Sequence, residues 1–356
     1  MPHQPQIESP WPHRLAAALA AAIFPLIWVG GLVTTYDAGM AVPDWPTTYG
    51  YNMFLYPWQT WLFGPWDLFI EHGHRLLASL VGLLTIALAV VLYRCEHRAW
   101  VRRLGLAAVA LVIFQGVLGG MRVRLDERLL AQIHGCVGPA FFALAAALAV
   151  FTSRRWRLAV APARRDGDAV QLAVGDRISA AERRSYRGGL FRLALVTTLL
   201  AYAQLVLGSQ VRHVSLASDA TVFRAAVLLH LIVAALLTFH VLLLAVRAGS
   251  RRRGGDWLVA PARFLAALVL VQLALGCGAW VVNYGWPAWF SQYRWAAGYV
   301  VGDKSAMQAL VTTAHVAVGS LILATSLVIA LRSWRLSARP FLGGALRTLT
   351  WETAAR

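Results

Sequence analysis

The chain has 356 residues, of which 59% are hydrophobic and only 14% charged, and its mean hydropathy is +0.59. Soluble domains carry about a quarter charged residues and just under half apolar ones, so a soluble enzyme, a disordered chain and a disulfide-stapled miniprotein are excluded in favour of an integral membrane protein. The net charge of +17 would suit nucleic-acid binding, but the placement of the basic residues accounts for it differently.

A membrane-crossing helix needs about 20 mainly apolar residues. Eight stretches qualify, near 15–35, 72–93, 104–121, 129–151, 190–211, 223–246, 262–282 and 309–331. They are continuous runs of Leu, Ala, Val and Gly rather than the short alternating segments of a membrane barrel, so all eight are expected to be helices. The first is expected to remain as a helix, being longer than the apolar core of a secretion signal. With eight spans, both termini and the loops near 94–103, 152–189 and 247–263 share one side. The other side holds Arg75, Arg122, Arg124, Arg128, Arg212, Arg224, Arg294 and Lys304, and the remaining Lys and Arg lie on the side of the termini. Basic residues concentrate on the cytoplasmic side. The expectation is therefore a multi-pass protein of the cell (inner) membrane, with both termini cytoplasmic and no nucleic-acid partner. Cys95, Cys136 and Cys277 fall in separate segments without a CxxC, which argues against a disulfide framework or a thiolate zinc site.

The spans repeat. The third, fifth and seventh end alike, as Gln115-x-x-Leu118-Gly119-Gly120, Gln204-x-x-Leu207-Gly208-Ser209 and Gln272-x-x-Leu275-Gly276-Cys277; the first keeps Val29-Gly30-Gly31. Small residues at such places let helices, or a flat ligand, come close. The even spans carry His74-x-x-x-Ala78, His134-x-x-x-Gly138, His230-x-x-x-Ala234 and His315-x-x-x-Gly319. The predicted fold is thus all-α, eight transmembrane helices as two tandem parallel four-helix bundles. The units are 1–153 and 190–356, joined by an Arg-rich cytoplasmic linker at 154–189.

His74, His134, His230 and His315 lie at matched depth near the outer ends of the even helices. Ionisable groups inside membrane spans usually face the interior and mark function. One reading is packing and hydrogen bonding alone. The sharper one is axial ligation of haem iron by facing pairs, His74 with His134 and His230 with His315. The small residue at i+4 shares a helix face with each histidine and would leave room for a planar macrocycle. Zinc fits less well, because it would want further ligands close by. His3, His13 and His97 fall on the cytoplasmic side and His213 at the outer end of the fifth span. His72 points away from His74, and His240 reads as a core hydrogen-bonding residue.

Glu71 stands three residues before His74. As an acid near a helix N-terminus with Arg75 at i+4 it has a structural explanation; as a neighbour of a ligand held by His74 it is an acid/base or charge-stabilising candidate. Val227 and Thr312 occupy the matching places before His230 and His315, so one half looks reactive and the other looks like a cofactor holder. The loops at 36–70 and 283–308 are rich in Trp and Tyr, most of them expected at the membrane interface and the rest as caps over ligand pockets. Arg75, Arg122 and Arg212 are candidates to meet haem propionates.

These elements together resemble the haem A synthase family. They are GGLVTTYDAGMAVPDWP after the first helix, EHGHR opening the second, AQIHG opening the fourth, and the LLH and TAH histidines of the sixth and eighth. The resemblance spans almost the whole chain. It implies oxidation of the haem O methyl group to the formyl group of haem A for terminal oxidases. His74 and His134 would hold the substrate haem with Glu71 as the acidic residue, and His230 and His315 would ligate a haem b cofactor. Implied partners are haem O, a haem O synthase, and an electron donor such as quinol, within the lipid bilayer; an oligomer is allowed. Many members carry a cysteine pair in the first outer loop; here Val42 and Thr47–Thr48 occupy that region, so thiol chemistry there is excluded. A bis-histidine electron carrier or a haem-handling assembly protein would need the same four histidines and is the alternative.

Overall fold

A computed structural model of the chain describes residues 9–158, 189–214, 219–250 and 256–337. Nearly all of the expected 154–189 linker lies outside the described residues. Eight long helices dominate: α1 (Trp11–Thr35), α2 (Trp66–Cys95), α3 (Ala99–Leu125), α4 (Arg128–Thr152), α5 (Phe191–His213), α6 (Ala220–Gly249), α7 (Asp256–Tyr284) and α8 (Ala306–Ser337). Eight helices are long and apolar enough to cross a membrane, and among the described residues there is no β-strand, only an isolated bridge between Thr48 and Tyr51. The chain is an all-helical, multi-pass membrane protein.

The helices run longer than their apolar cores predict. α2 starts at Trp66, directly after Pro65, rather than near residue 72. Asp67 therefore occupies its first turn, where an acid complements the helix dipole. Glu71 lies a turn further in, so the dipole account of that residue does not hold. Asp219 caps α6, its carboxylate accepting the Thr221 N–H at 2.7 Å. α3 and α4 are joined by Asp126 and Glu127 alone, Asp126 taking a left-handed conformation at φ 50°.

Connections this short make chain neighbours antiparallel and adjacent. Within the first four helices, α1 packs on α2 and α4, and α3 packs on the same two. The last four repeat this ring, with α8 against α5 and α7, and α6 against the same two. The rings meet where α1 and α4 pack on α8 and α4 touches α5. Two apolar clusters follow this division. One joins residues such as Leu19, Leu88, Val101 and Phe142 of α1–α4. The other joins Leu244, Leu265 and Ile329 of the second ring to the end of α4. Both lie away from the histidines, toward the starts of α1, α3, α5 and α7. Most buried hydroxyls there bond within their own helices, as with Thr85 to the Val81 carbonyl at 2.7 Å and Thr197 to that of Leu193 at 2.8 Å. One end of the molecule is thus tightly packed, and the other, which can be called the histidine end, carries the polar residues and the long loops.

Candidate functional site: two facing histidine pairs

The four repeated histidines meet in two pairs. His74 on α2 and His134 on α4 have ring centroids 6.5 Å apart with ring planes at 73°, and His230 on α6 and His315 on α8 have centroids 6.5 Å apart at 63°. In each ring of helices the pair reaches across from two members that do not follow one another in the chain.

Each imidazole rests on a glycine of another helix. A Cβ added at Gly30 would lie 2.9 Å from His74 Cε1, and one at Gly119, Gly208 or Gly276 would lie 3.1 Å from Cε1 of His134, His230 or His315. The two repeated sequence patterns are therefore the two sides of one contact: the glycine of the odd helix is the seat of the histidine on the even one. Two of the small residues at i+4 also neighbour the odd helices. Gly138 and Gly319 lie under the glutamines of the odd helices, with a Cβ there 3.4 Å from Gln115 Nε2 and Gln272 Nε2.

The glutamines connect to the same histidines. Gln115 Nε2 donates to the His134 carbonyl at 2.8 Å and the Gln115 carbonyl lies 3.1 Å from His134 Nδ1. Gln204 Nε2 and Gln272 Nε2 lie 3.1 and 3.4 Å from Nε2 of His230 and His315. Several buried atoms here have no hydrogen-bond partner: Nδ1 of His74, His230 and His315, and Oε1 of Gln115, Gln204 and Gln272. Buried polar atoms are nearly always paired, so a cluster of orphans calls for an explanation.

A metal between two imidazoles, with bonds of about 2 Å, sets the ring centroids roughly 6 Å apart. The observed spacing and the orphaned ring nitrogens fit a haem iron that each histidine pair would ligate. Among the described residues no group of three or more His, Cys, Asp or Glu could hold a metal ion, so pairs are what the histidines offer. Cys95, Cys136 and Cys277 are free thiols.

Glu71 is buried, 2% exposed, and both carboxylate oxygens are engaged. Oε1 accepts from Arg75 Nη2 at 2.7 Å and Oε2 from the Val42 backbone N–H at 2.8 Å. Arg75 donates further to the carbonyls of Val42 at 2.7 Å, Asp44 at 2.7 Å and Thr47 at 3.0 Å. This guanidinium is committed to the first loop, so the structure does not leave it pointing at a ligand carboxylate. His72 is also buried, with Nδ1 3.1 Å from the Thr48 hydroxyl and its ring against Tyr56 and Trp61. Periodicity gave His72 no role. Thr48 and His72 stand 24 residues apart, and no spacing rule pairs them.

Arg122 donates to the Gly39 carbonyl at 3.2 Å, and Arg212, from the second half, donates to the Gly31 carbonyl at 3.2 Å and to Thr35 Oγ1 at 2.7 Å. Both converge on the histidine end of α1. His213 bonds back to the Ser209 carbonyl and His13 to that of Ala149. His240 is half-buried, and its Nδ1 lies 2.8 Å from the Leu236 carbonyl of its own helix. Outside the spans, the Asp44 carboxyl sits below its ordinary value. Burial alone would raise it, but the Gly50 N–H, the Thr47 side chain and the Tyr49 N–H outweigh that effect.

Comparison with known proteins gives a consistent answer. The family model for the cytochrome oxidase assembly protein matches residues 65–226. That stretch contains His74, His134 and Glu71 and stops just short of His230. A haem A synthase from Exiguobacterium sp. is 27% identical over 277 residues, 72% of this chain and 78% of that protein. A haem A synthase from Shouchella clausii is 31% identical over 34% of this chain and 39% of its own length. A protohaem IX farnesyltransferase from Haloarcula marismortui shares 31% identity over 36% of this chain, which is 26% of that protein. The similarity to the Exiguobacterium haem A synthase thus runs over most of both chains, and the family model covers the stretch that holds the first histidine pair and Glu71.

Proposed function

We propose that this protein oxidises the methyl group of haem O to the formyl group of haem A, in the service of terminal oxidase assembly. The observation that carries the reading is an asymmetry between two otherwise matching sites. Both pairs have the same ring separation, but only the first has a buried carboxylate three residues from a ring, with its guanidinium partner. On this reading the 1–153 unit is catalytic: His74 and His134 bind and orient the substrate haem, and Glu71 is the acidic residue of the site. The 190–356 unit holds haem b between His230 and His315. A bound haem b supplies a one-electron redox centre. The chain's own part is to hold the substrate ring between two imidazoles, fix their tilt through the glycine seats and keep water from the reacting edge. The names of the relatives support an enzyme acting on haem. The charge distribution supports an inner-membrane protein with cytoplasmic termini, fed by a haem O synthase and reduced by a donor such as quinol.

The test is haem extraction and mass spectrometry from a haem-O-producing host expressing this chain. Formyl haem, or its hydroxymethyl precursor, is expected, and is expected to vanish with His74→Ala. The equal spacing of the two pairs also favours a plain electron carrier. Haem O left unchanged beside a six-coordinate haem spectrum in the purified protein would select that reading.

A further inference from the structure

The loop between α1 and α2 is fastened at one end and laid down at the other. Glu71, His72 and Arg75, all on α2, hold Val42, Asp44, Thr47 and Thr48 through one carboxylate, one imidazole and one guanidinium. Charge-assisted bonds of this kind are the strong ones, and a guanidinium that satisfies three carbonyls fixes a turn more firmly than any single contact. Between these anchors stands Trp45. Its indole lies directly on Gly120, where a Cβ would overlap the ring system. Gly120 follows Gly119, the seat of His134. Just before the anchored turn, Gly39 is pressed against the Arg122 guanidinium. The loop therefore crosses from α2 to α3 at the histidine end, and the one aromatic side chain of its 42–48 turn lies on the residue that follows the His134 seat.

We infer that Glu71 and Arg75 are positioning residues: they lock the 42–48 turn so that Trp45 forms a wall of the His74–His134 site, retaining the substrate haem and excluding water. This rests on the proposed function and refines it, because Glu71 then acts through Trp45 rather than on the substrate. Two facts support it. Both Glu71 oxygens are taken, one by a backbone N–H of the loop. The second half, which lacks both the acid and the guanidinium at the matching places of α6, Val227 and Leu231, has no such clamp among its described residues.

The test uses the full-length protein in lipid nanodiscs, with two readouts. The first is hydrogen exchange at the Val42 amide, which needs no haem. The second is the rate of haem transfer to apomyoglobin in a His230→Ala background, where only the first pair holds haem. Glu71→Gln is expected to abolish the slow exchange of Val42 and to speed haem loss. Trp45→Ala, which leaves every clamp residue in place, is expected to keep Val42 protected, to speed haem loss about tenfold and to lower kcat/KM comparably, with Trp45→Phe restoring most of both. Glu71→Gln that loses turnover while Val42 stays protected would overturn the inference, since the carboxylate would then act on the substrate directly. So would Trp45→Ala that releases haem at the parental rate. If the parent protein makes no formyl haem, the proposed function fails, while exchange and haem release still judge the wall.

Discussion

The two halves use one scaffold and close it differently. In the first, a buried ion pair on α2 captures the incoming loop. In the second, it is the ends of α7 and α8 that are bridged, and by neutral groups. The Lys304 N–H donates to Gln308 Oε1 at 2.7 Å, Gln308 Nε2 to Asn283 Oδ1 at 3.1 Å, and Asn283 Nδ2 to Thr312 Oγ1 at 3.1 Å. Thr312 stands three residues before His315 as Glu71 does before His74. Burying two charges costs several kcal/mol per ion before their attraction offsets it. Amides and hydroxyls suffice to close the same level of the second half, so the scaffold does not require the ion pair. The difference marks the first half as the place where the loop must be held in one exact position, and the second as a place where it need only be closed.

The comparison can be broken at several levels. The largest effect should come from the rings. His74→Ala or His134→Ala is expected to lower product formation by more than about 100-fold, beyond the 10–100-fold typical of residues that only support a ligand, with the second haem still bound. His230→Ala or His315→Ala should remove that second haem and leave substrate binding at the first pair intact, as read by absorbance of the purified variants. The seats come next. Gly119→Ala and Gly276→Ala each place a methyl 3.1 Å from an imidazole carbon, so the ring must swing; haem affinity is expected to fall about 10-fold or more at the altered pair alone. Unequal responses of the two halves would show that the seats are not equivalent. Gln308→Ala should cost about 1 kcal/mol of stability, visible as a lower Tm with product yield unchanged.

The smallest effect concerns pH. Asp44 accepts N–H bonds from Tyr49 and Gly50, and its carboxyl is held below the usual value despite burial that would raise it. A depressed acid stabilises the folded loop above its unfolded value and stops doing so as pH falls through the lowered one. Asp44→Asn is therefore expected to be less stable than the parent at neutral pH and to converge with it in acid, measured by thermal unfolding across pH.

Much of this was legible in advance because it is periodic. Eight apolar runs gave eight helices, and the glutamine–glycine and histidine patterns marked the faces that matter. What escaped were contacts between residues far apart in the chain whose partner no spacing identifies. Gly119 and His134 each sat in a recognised pattern, but nothing in either says that one is the seat of the other. Arg75 read as a helix-face partner for Glu71, which it is, yet its three loop carbonyls lie about thirty residues away. Glu71 read as close to a helix start because the apolar run begins late; Pro65 and Asp67, which set the true start, are not hydrophobic and left no trace in that signal.

Gly30 and Gly31 have a consequence of their own. Gly30 faces the His74 ring, while a Cβ on Gly31 would lie 2.7 Å from Thr313 Cγ2 on α8, two residues from His315, and the Gly31 carbonyl receives Arg212 from α5. Successive helix residues point about 100° apart at almost the same height. One peptide unit of α1 thus serves as a party wall, with a different tenant on each side. Turning α1 about its axis would draw it off one site and drive it into the other, so the two sites are geared together and cannot be tuned separately through this helix.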